Sequence, residues 1–225
     1  MKREIKITAD GSKTLFINEL NEGYHSHHGA LQEARHVFID YGLNQVNSCE
    51  INILELGFGT GLNVLVTLDE FLKTDKNHVL RYFTLEKYPV KTEEIIGLDY
   101  GNQFNDKKMA DLYQKVHQVS WEKVHEILPG FSLQKFQRDF FTMGELSLPP
   151  IDLVYFDCFG ARVQPDLWEM PLLKLVADKM RLGGLFTTYA SKGSLKRNLI
   201  ELGFEVEKRP GPPGKREMLN AVKLS

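Results

Sequence analysis

One stretch, Ile51-Asn-Ile-Leu-Glu-Leu-Gly-Phe-Gly-Thr-Gly61, limits what this chain can fold into more than any other. Ile51, Ile53, Leu54 and Leu56 make the near-continuous apolar run of a strand buried on both faces, and Leu62, Val64, Leu65, Leu68 and Phe71 then recur at helical spacing. A strand of that kind, passing through a tight turn straight into a helix, is the building unit of a parallel α/β sheet. Gly57, Gly59 and Gly61 strip the turn of side chains. A ligand can therefore approach the backbone at the helix N-terminus, where N–H groups are unpaired and the dipole is positive. The same glycines also suit close strand–helix packing with no ligand at all.

Carboxylates at the ends of strands favour the ligand reading. The spacing is G-x-G-x-G with Glu55 two residues ahead of Gly57, unlike the G-x-G-x-x-G of dinucleotide sites and typical of sites for S-adenosylmethionine (SAM). Glu55 is a candidate to meet the cofactor's ammonium, directly or through water. Glu86 closes the apolar stretch Leu80-Arg-Tyr-Phe-Thr-Leu85, where the next parallel strand ends and a ribose diol needs an acceptor. Ser132-Leu-Gln-Lys-Phe136 reads as a third strand with Asp139 beyond it, either accepting from an adenine amino group or capping its own loop. Pro149-Pro-Ile-Asp-Leu-Val-Tyr-Phe-Asp157 is the fourth, and it places Asp157 at a carboxyl end, where ligands sit in open α/β sheets.

Composition sets the bounds. With 225 residues, 42% of them hydrophobic, the chain can bury one large core, so one domain, residues 49–225, is expected behind an N-terminal extension, residues 1–48. There is no apolar run long enough for a membrane helix and no apolar core of a secretion signal behind Met1-Lys-Arg-Glu, which points to a cytoplasmic protein. Cys49 and Cys158 form neither a disulfide framework nor a zinc pattern. The formal charge is −2, but from Thr188 onward eight basic residues face four acidic ones, giving +4 there and leaving −6 for the remainder. Lys192, Lys196, Arg197, Lys215 and Arg216 are the candidates for phosphate contacts, against a plain solvated surface.

The other segments extend the alternation. Glu4-Ile-Lys-Ile-Thr8 and Thr14-Leu-Phe-Ile17 alternate around Asp10-Gly11 as a hairpin. The loop Gly23-Tyr-His-Ser-His-His-Gly29 precedes a helix pattern at Leu31, Ala34, Val37, Phe38 and Tyr41. His25, His27 and His28 invite a metal reading, but no matching ligand pair lies nearby, so no metal is expected. A loop that touches substrate or cofactor through residues such as Tyr24, or simply caps the helix, fits better. Lys91 to Glu126 reads as charged covering helices, Leu172 to Met180 as a helix ended by Gly183-Gly184, and Leu185 to Tyr189 as a fifth strand. Ser194 to Leu202 is helical, and Phe204–Glu207 and Glu217–Val222 suggest an antiparallel hairpin at the sheet edge. The expected class is α/β, doubly wound: a Rossmann-like class I SAM-dependent methyltransferase fold with an N-terminal hairpin and helix and an antiparallel C-terminal strand.

Several motifs, taken together, resemble one family. They are Glu33-Ala-Arg-His-Val-Phe38 behind Gly29, Leu56-Gly-Phe-Gly-Thr-Gly-Leu-Asn63, Glu86-Lys-Tyr-Pro89, Asp157 with Pro165-Asp-Leu-Trp168, Thr188-Tyr-Ala-Ser191 and Lys215-Arg-Glu-Met218. The chain is similar in these to the methyltransferase domain of the MnmC-type enzymes that complete 5-methylaminomethyl-2-thiouridine at the tRNA wobble position. The resemblance implies SAM as cofactor, tRNA but not DNA as partner, and Asp157 as the catalytic acid–base group. It joins Phe58, Asn63 and Lys87 to Glu55, Gly57, Gly59, Gly61, Glu86, Asp139 and Asp157 as cofactor contacts, with Tyr24 and the five basic residues on the tRNA side. No fused flavin oxidase domain is expected, so the implied reaction is methylation of an aminomethyl uridine alone. Asp157-Cys-Phe-Gly-Ala161 stands where the family usually reads Asp-Gly-Phe-Ala-Pro, a departure that bears on the loop's shape. Methylation of another amine, a nicotinamide-dependent oxidation and a non-catalytic RNA-binding module are the alternatives, and the glycine spacing disfavours the oxidoreductase.

Overall fold

The computed structural model describes residues 2–73 and 78–225, folded as a three-stranded antiparallel sheet beside an eight-stranded mixed one. In the small sheet β1 (Arg3–Ile7) and β2 (Lys13–Ile17) pair across the Asp10-Gly11 turn, and β3 (Glu22–Gly23) adds to β2. The turn also starts the first helix, α1 (Ala30–Ala34): Ser12 Oγ accepts from Ala30 N at 3.0 Å and Asp10 Oδ2 from Gln32 N at 3.1 Å. Two N–H groups left open by the helix geometry are thus satisfied from the hairpin, because Gly29 has no side chain to cap with. α1 runs on as a π-helical turn, Arg35–Asp40, whose Val37, Phe38 and Ile39 are buried.

The large sheet follows from β4 (Glu50–Leu56), α2 (Leu62–Phe71), β5 (Val79–Leu85), α3 (Thr92–Leu98), α4 (Lys108–Gln118), β6 (Val124–Leu128), β7 (Phe131–Phe136), β8 (Ile151–Phe156), α5 (Met170–Lys179), β9 (Met180–Thr188), α6 (Gly193–Glu201), β10 (Phe204–Pro210) and β11 (Glu217–Lys223). Its order is β10-β11-β9-β8-β4-β5-β7-β6. β9, β8, β4, β5 and β7 run parallel, β11 is antiparallel to both of its neighbours, and β6 is antiparallel to β7. Ile53 and Leu54 show why the centre is apolar without alternation: both are fully buried, one among α2 and α4 side chains, the other among those of α5 and α6. Each burial is worth roughly 1.5–3 kcal/mol. Helices on both faces make the sheet doubly wound, as the sequence pattern implies. Among the described residues no helix is long and apolar enough to cross a membrane.

Two expected element boundaries are corrected. Val124–Glu126 belongs to the edge strand β6 and not to the covering helices, because the Pro129-Gly130 turn folds it back along β7. Gly183-Gly184 does not end a helix. β9 begins at Met180 directly after α5, and the glycines sit in an irregularity between Ile151↔Met180 and Leu153↔Leu185, with Gly183 at φ +75°. Glycine tolerates that backbone, so the strand absorbs the extra residues without ending.

Candidate active site

The carboxyl ends of the parallel strands open into a cavity of about 770 Å³, roofed by the small N-terminal sheet through Lys6, Thr8, Thr14 and Phe16. Such a volume suits a cofactor together with part of an acceptor. Its floor is the glycine turn. Gly57, Gly59 and Gly61 have φ of +101°, +48° and +72°, and a Cβ at Gly57 would stand 2.7 Å from the Asp157 carbonyl, at Gly59 3.2 Å from the Tyr24 ring. The turn is therefore a bare backbone cradle that side chains would fill. Glu86, at the end of β5, holds it from beside: Oε2 accepts from Gly59 N at 3.1 Å and Oε1 from Tyr88 N at 2.7 Å. Lys87 Nζ meets Asp139 Oδ2 at 2.8 Å, while Asp139 Oδ1 accepts from Phe141 N at 3.0 Å. Asp139 thus caps its loop and lines the cavity at once, and the hydrogen bond from Lys87 holds its carboxyl below the usual range. Phe58 lines the floor with its ring against His117 and Trp121.

The glycine cradle, the strand-end carboxylates and the apolar floor fit a ligand with a diol, an adenine and a charged amino-acid end. Two expected contacts are exceptions: Gly61 and Glu55 both lie outside the cavity lining, and a Cβ at Gly61 would meet His117 Nε2 at 2.8 Å. Glu55 is fully buried beneath the turn, with Oε2 accepting from Thr84 Oγ1 at 2.6 Å. Burial pushes its carboxyl up to about 8, so at neutral pH it is chiefly a neutral acid and not a counter-ion for an ammonium. Its Oε1, Asn63 Oδ1 and Tyr82 Oη are buried without another partner. A protonated Glu55 adds a donor, beside the Tyr82 hydroxyl, to a corner that also holds the Asn63 carbonyl oxygen.

At the other end stands Asp157. Asn63 Nδ2 donates to its Oδ2 at 2.8 Å, and enclosure by protein raises its carboxyl to about 7, the Asn63 bond opposing that rise. The loop after it is fixed in spite of its unusual sequence: Tyr189 Oη donates to the Cys158 carbonyl and Trp168 Nε1 to that of Phe159, each at 2.8 Å. Tyr24 packs edge-on against Phe159, with ring centroids 5.1 Å apart. His25 turns its Nε2 to Thr60 Oγ1 at 2.8 Å, and burial lowers it to about 4, leaving it neutral. His27 and His28 pair with each other, 4.1 Å between centroids, away from His25's partner.

The basic candidates separate. Lys192, Arg197 and Arg216 are exposed and Lys196 is half-buried, around the start of α6 and the loop before β11. Lys215 is different, because its Nζ lies 2.6 Å from Glu33 Oε1 and 3.7 Å from the centre of the Tyr189 ring, on the cavity wall. Glu33 and Tyr189 were not singled out from the sequence, and His25 was considered only as a metal ligand. Glu33 and Tyr189 did lie inside two of the motifs quoted above, which was the available signal.

Known proteins resemble the chain in the same terms. The family described as S-adenosyl-L-methionine-dependent methyltransferase matches residues 138–224. The tRNA 5-methylaminomethyl-2-thiouridine biosynthesis bifunctional protein MnmC of Paracidovorax citrulli is 31% identical over 235 residues, covering 98% of this chain and 35% of that protein. Its namesake in Leptospira borgpetersenii is 29% identical over 215 residues, covering 87% and 31%. The chain thus spans about a third of the length of these curated relatives. The crystal structure of MnmC2 from Aquifex aeolicus superposes with a TM-score of 0.80 at 26% identity, covering 98% of this chain and 70% of that one. A probable spermidine synthase from Corynebacterium glutamicum, at 14% identity and a TM-score of 0.52, shares the fold.

Proposed function

We propose that this chain, an S-adenosyl-L-methionine-dependent methyltransferase, methylates the primary amine of a 5-aminomethyl-2-thiouridine at the tRNA wobble position. The observation that carries the acceptor chemistry is Asp157, a strand-end carboxylate enclosed between the glycine cradle and the Glu33–Lys215 pair in one cavity. The match to MnmC proteins over nearly the whole chain supports the nucleoside. A tRNA acceptor also implies a cytoplasmic setting. We assign residues 49–225 to the methyltransferase domain and residues 1–48 to an extension that roofs the acceptor end.

The cofactor, when bound, supplies an electrophilic methyl group on a sulfonium that leaves readily. Gly57 and Gly59 would admit it to the backbone, Glu86 and Asp139 would take its diol and adenine, and Phe58 would form the apolar floor. Holding nitrogen and methyl in line is then the protein's main task, and such alignment is worth effective molarities of about 10⁵ M or more. Its second task concerns a proton. An alkyl amine titrates near that of lysine, roughly 10, and is mostly protonated at neutral pH. Asp157, raised to about 7, is ionised enough to attract the ammonium and basic enough to take its proton. Asn63 fixes one carboxylate oxygen, leaving the other for the amine.

The deciding experiment incubates the protein with methyl-labelled SAM and bulk tRNA from cells blocked before the last methylation, followed by nucleoside analysis. Label in 5-methylaminomethyl-2-thiouridine is the expected result. Label confined to protein or small amines would overturn the nucleoside assignment.

A further inference from the structure

Lys215 and Glu33 are 182 positions apart, yet they form an ion contact on the cavity wall, 2.6 Å between Nζ and Oε1. Both partners are anchored. Glu33 Oε2 also accepts from Ser26 N at 2.9 Å, and the Lys215 ammonium rests 3.7 Å above the ring of Tyr189, whose hydroxyl is itself tied to the Cys158 carbonyl beside Asp157. The pair is largely withdrawn from solvent, the side chains being 33% and 10% exposed. A solvated surface pair would be worth little and need no such anchoring. This one lines the same cavity as Asp157.

We propose that Glu33 and Lys215 are positioning residues that act through Asp157, setting how readily its carboxyl gives and takes the acceptor's proton. The proposal rests on the reading of Asp157 as the group that receives the amine. The groups facing Asp157 are few: Asn63 from α2 as a donor, Glu55 and Tyr82 from beneath the sheet, Cys158 and Tyr189 from the neighbouring loop and strand, and the ion pair from α1 and the loop before β11. Of these only Lys215 brings a positive charge. Glu33 and Lys215 push Asp157 in opposite directions, raising and lowering it respectively. With burial as the main cause, Asp157 stands at about 7, close to neutrality, where proton transfer in both directions is easiest.

The test measures the titration of Asp157 directly, by carbon NMR of protein labelled at aspartate carboxyls, with the Asp157 signal identified by its loss in Asp157→Asn. Glu33→Gln leaves Lys215 unopposed and should lower the titration midpoint, whereas Lys215→Met leaves Glu33 unopposed and should raise it, each by roughly 0.5–1 pH unit or more. Glu33→Gln combined with Lys215→Met should return the midpoint toward the wild-type value, and Lys215→Arg should hold it. Single-turnover methylation should follow, its acidic limb moving with the midpoint. Midpoints that stay fixed in both single variants, or move the same way, would overturn the proposal. If either single variant fails to fold, a midpoint shifted by Lys215→Arg would do the same. Because the NMR readout needs neither tRNA nor turnover, failure of the nucleoside assignment leaves it intact and separately readable.

Discussion

Replacing Asp157 by Asn keeps the volume of the side chain and leaves an oxygen to accept from Asn63 Nδ2, now at 2.8 Å, so the variant should fold and keep its affinity for SAM. On the proposed role, what disappears is the charge that would draw in the ammonium and the base that would accept its proton. A positioned group of that kind contributes about 10²–10⁴-fold, or roughly 2.7–5.5 kcal/mol of barrier at 1.36 kcal/mol per decade. The raised carboxyl adds a second signature. With a midpoint of about 7, its ionised fraction, and with it the wild-type rate, should fall roughly tenfold between pH 8 and pH 6. Asp157→Asn should lack that inflection and show only the log-linear rise, about tenfold per pH unit, produced by deprotonation of the amine itself. Single-turnover rates at saturating SAM across pH, with cofactor binding checked by calorimetry, measure both. A folded, SAM-binding variant within threefold of wild type at neutral pH, or one that keeps the inflection, would refute the assignment.

Gly59→Val places a branched side chain at φ +48° and within 3.2 Å of the Tyr24 ring, and should abolish calorimetric SAM binding. Glu86→Ala removes the carboxylate that clasps Gly59 N and faces the diol, and should weaken SAM by about 1.5–3 kcal/mol, one to two decades in affinity. Glu55→Gln should leave SAM affinity nearly unchanged, because Glu55 lies outside the cavity and is already mostly neutral. Its effect should appear in stability. The folded carboxyl holds its proton to about 8 against 4.5 unfolded, so the native state loses stability as pH rises through that window and the amide variant is spared this loss. Denaturant titrations should show Glu55→Gln gaining on wild type between pH 5 and pH 8, by roughly 2–4 kcal/mol at the upper end; a pH-independent difference would contradict a buried neutral acid. For tRNA, replacing Lys192, Lys196 and Arg197 should make the salt dependence of binding shallower by about 0.7–0.9 per lost phosphate contact, while Lys215→Met should leave that slope unchanged.

Much of the scaffold is legible in the sequence because it depends on local pattern. The apolar run at 51–56 and the three glycines behind it specify a strand, a turn and a helix within a dozen residues, and the acids at 86, 139 and 157 mark strand ends one at a time. Val124-His-Glu126 reads as the end of a covering helix because an edge strand open to solvent on one side tolerates charges, so it looks like a polar helix face. Gly183-Gly184 looked like a helix stop for a related reason: glycine marks a bulge inside a strand as well as an end. Glu55 was expected at the cofactor since its place ahead of the turn is clear, but which way a side chain at a strand end points depends on the pleat and on Thr84 across the sheet. The Glu33–Lys215 contact has no local signature at all. Each residue reads as an ordinary surface charge until the two are brought together in space.

That contact links the first helix to the loop before the last strand, and it is not alone. His36 Nε2 meets the Pro210 carbonyl at 2.8 Å, Asn220 Nδ2 donates to the Tyr41 carbonyl at 2.7 Å, and a side chain at Gly214 would collide with the ring of His28. The segment that carries Lys215 is therefore tied to α1 and its continuation by contacts between positions more than 170 apart, whereas the floor residues from Gly57 to Asp157 all come earlier in the chain. Long loops close slowly. During synthesis on the ribosome, the growing chain should be able to hold its cofactor well before it can present an acceptor site, so no methyl group can leave until the last strand has joined the sheet.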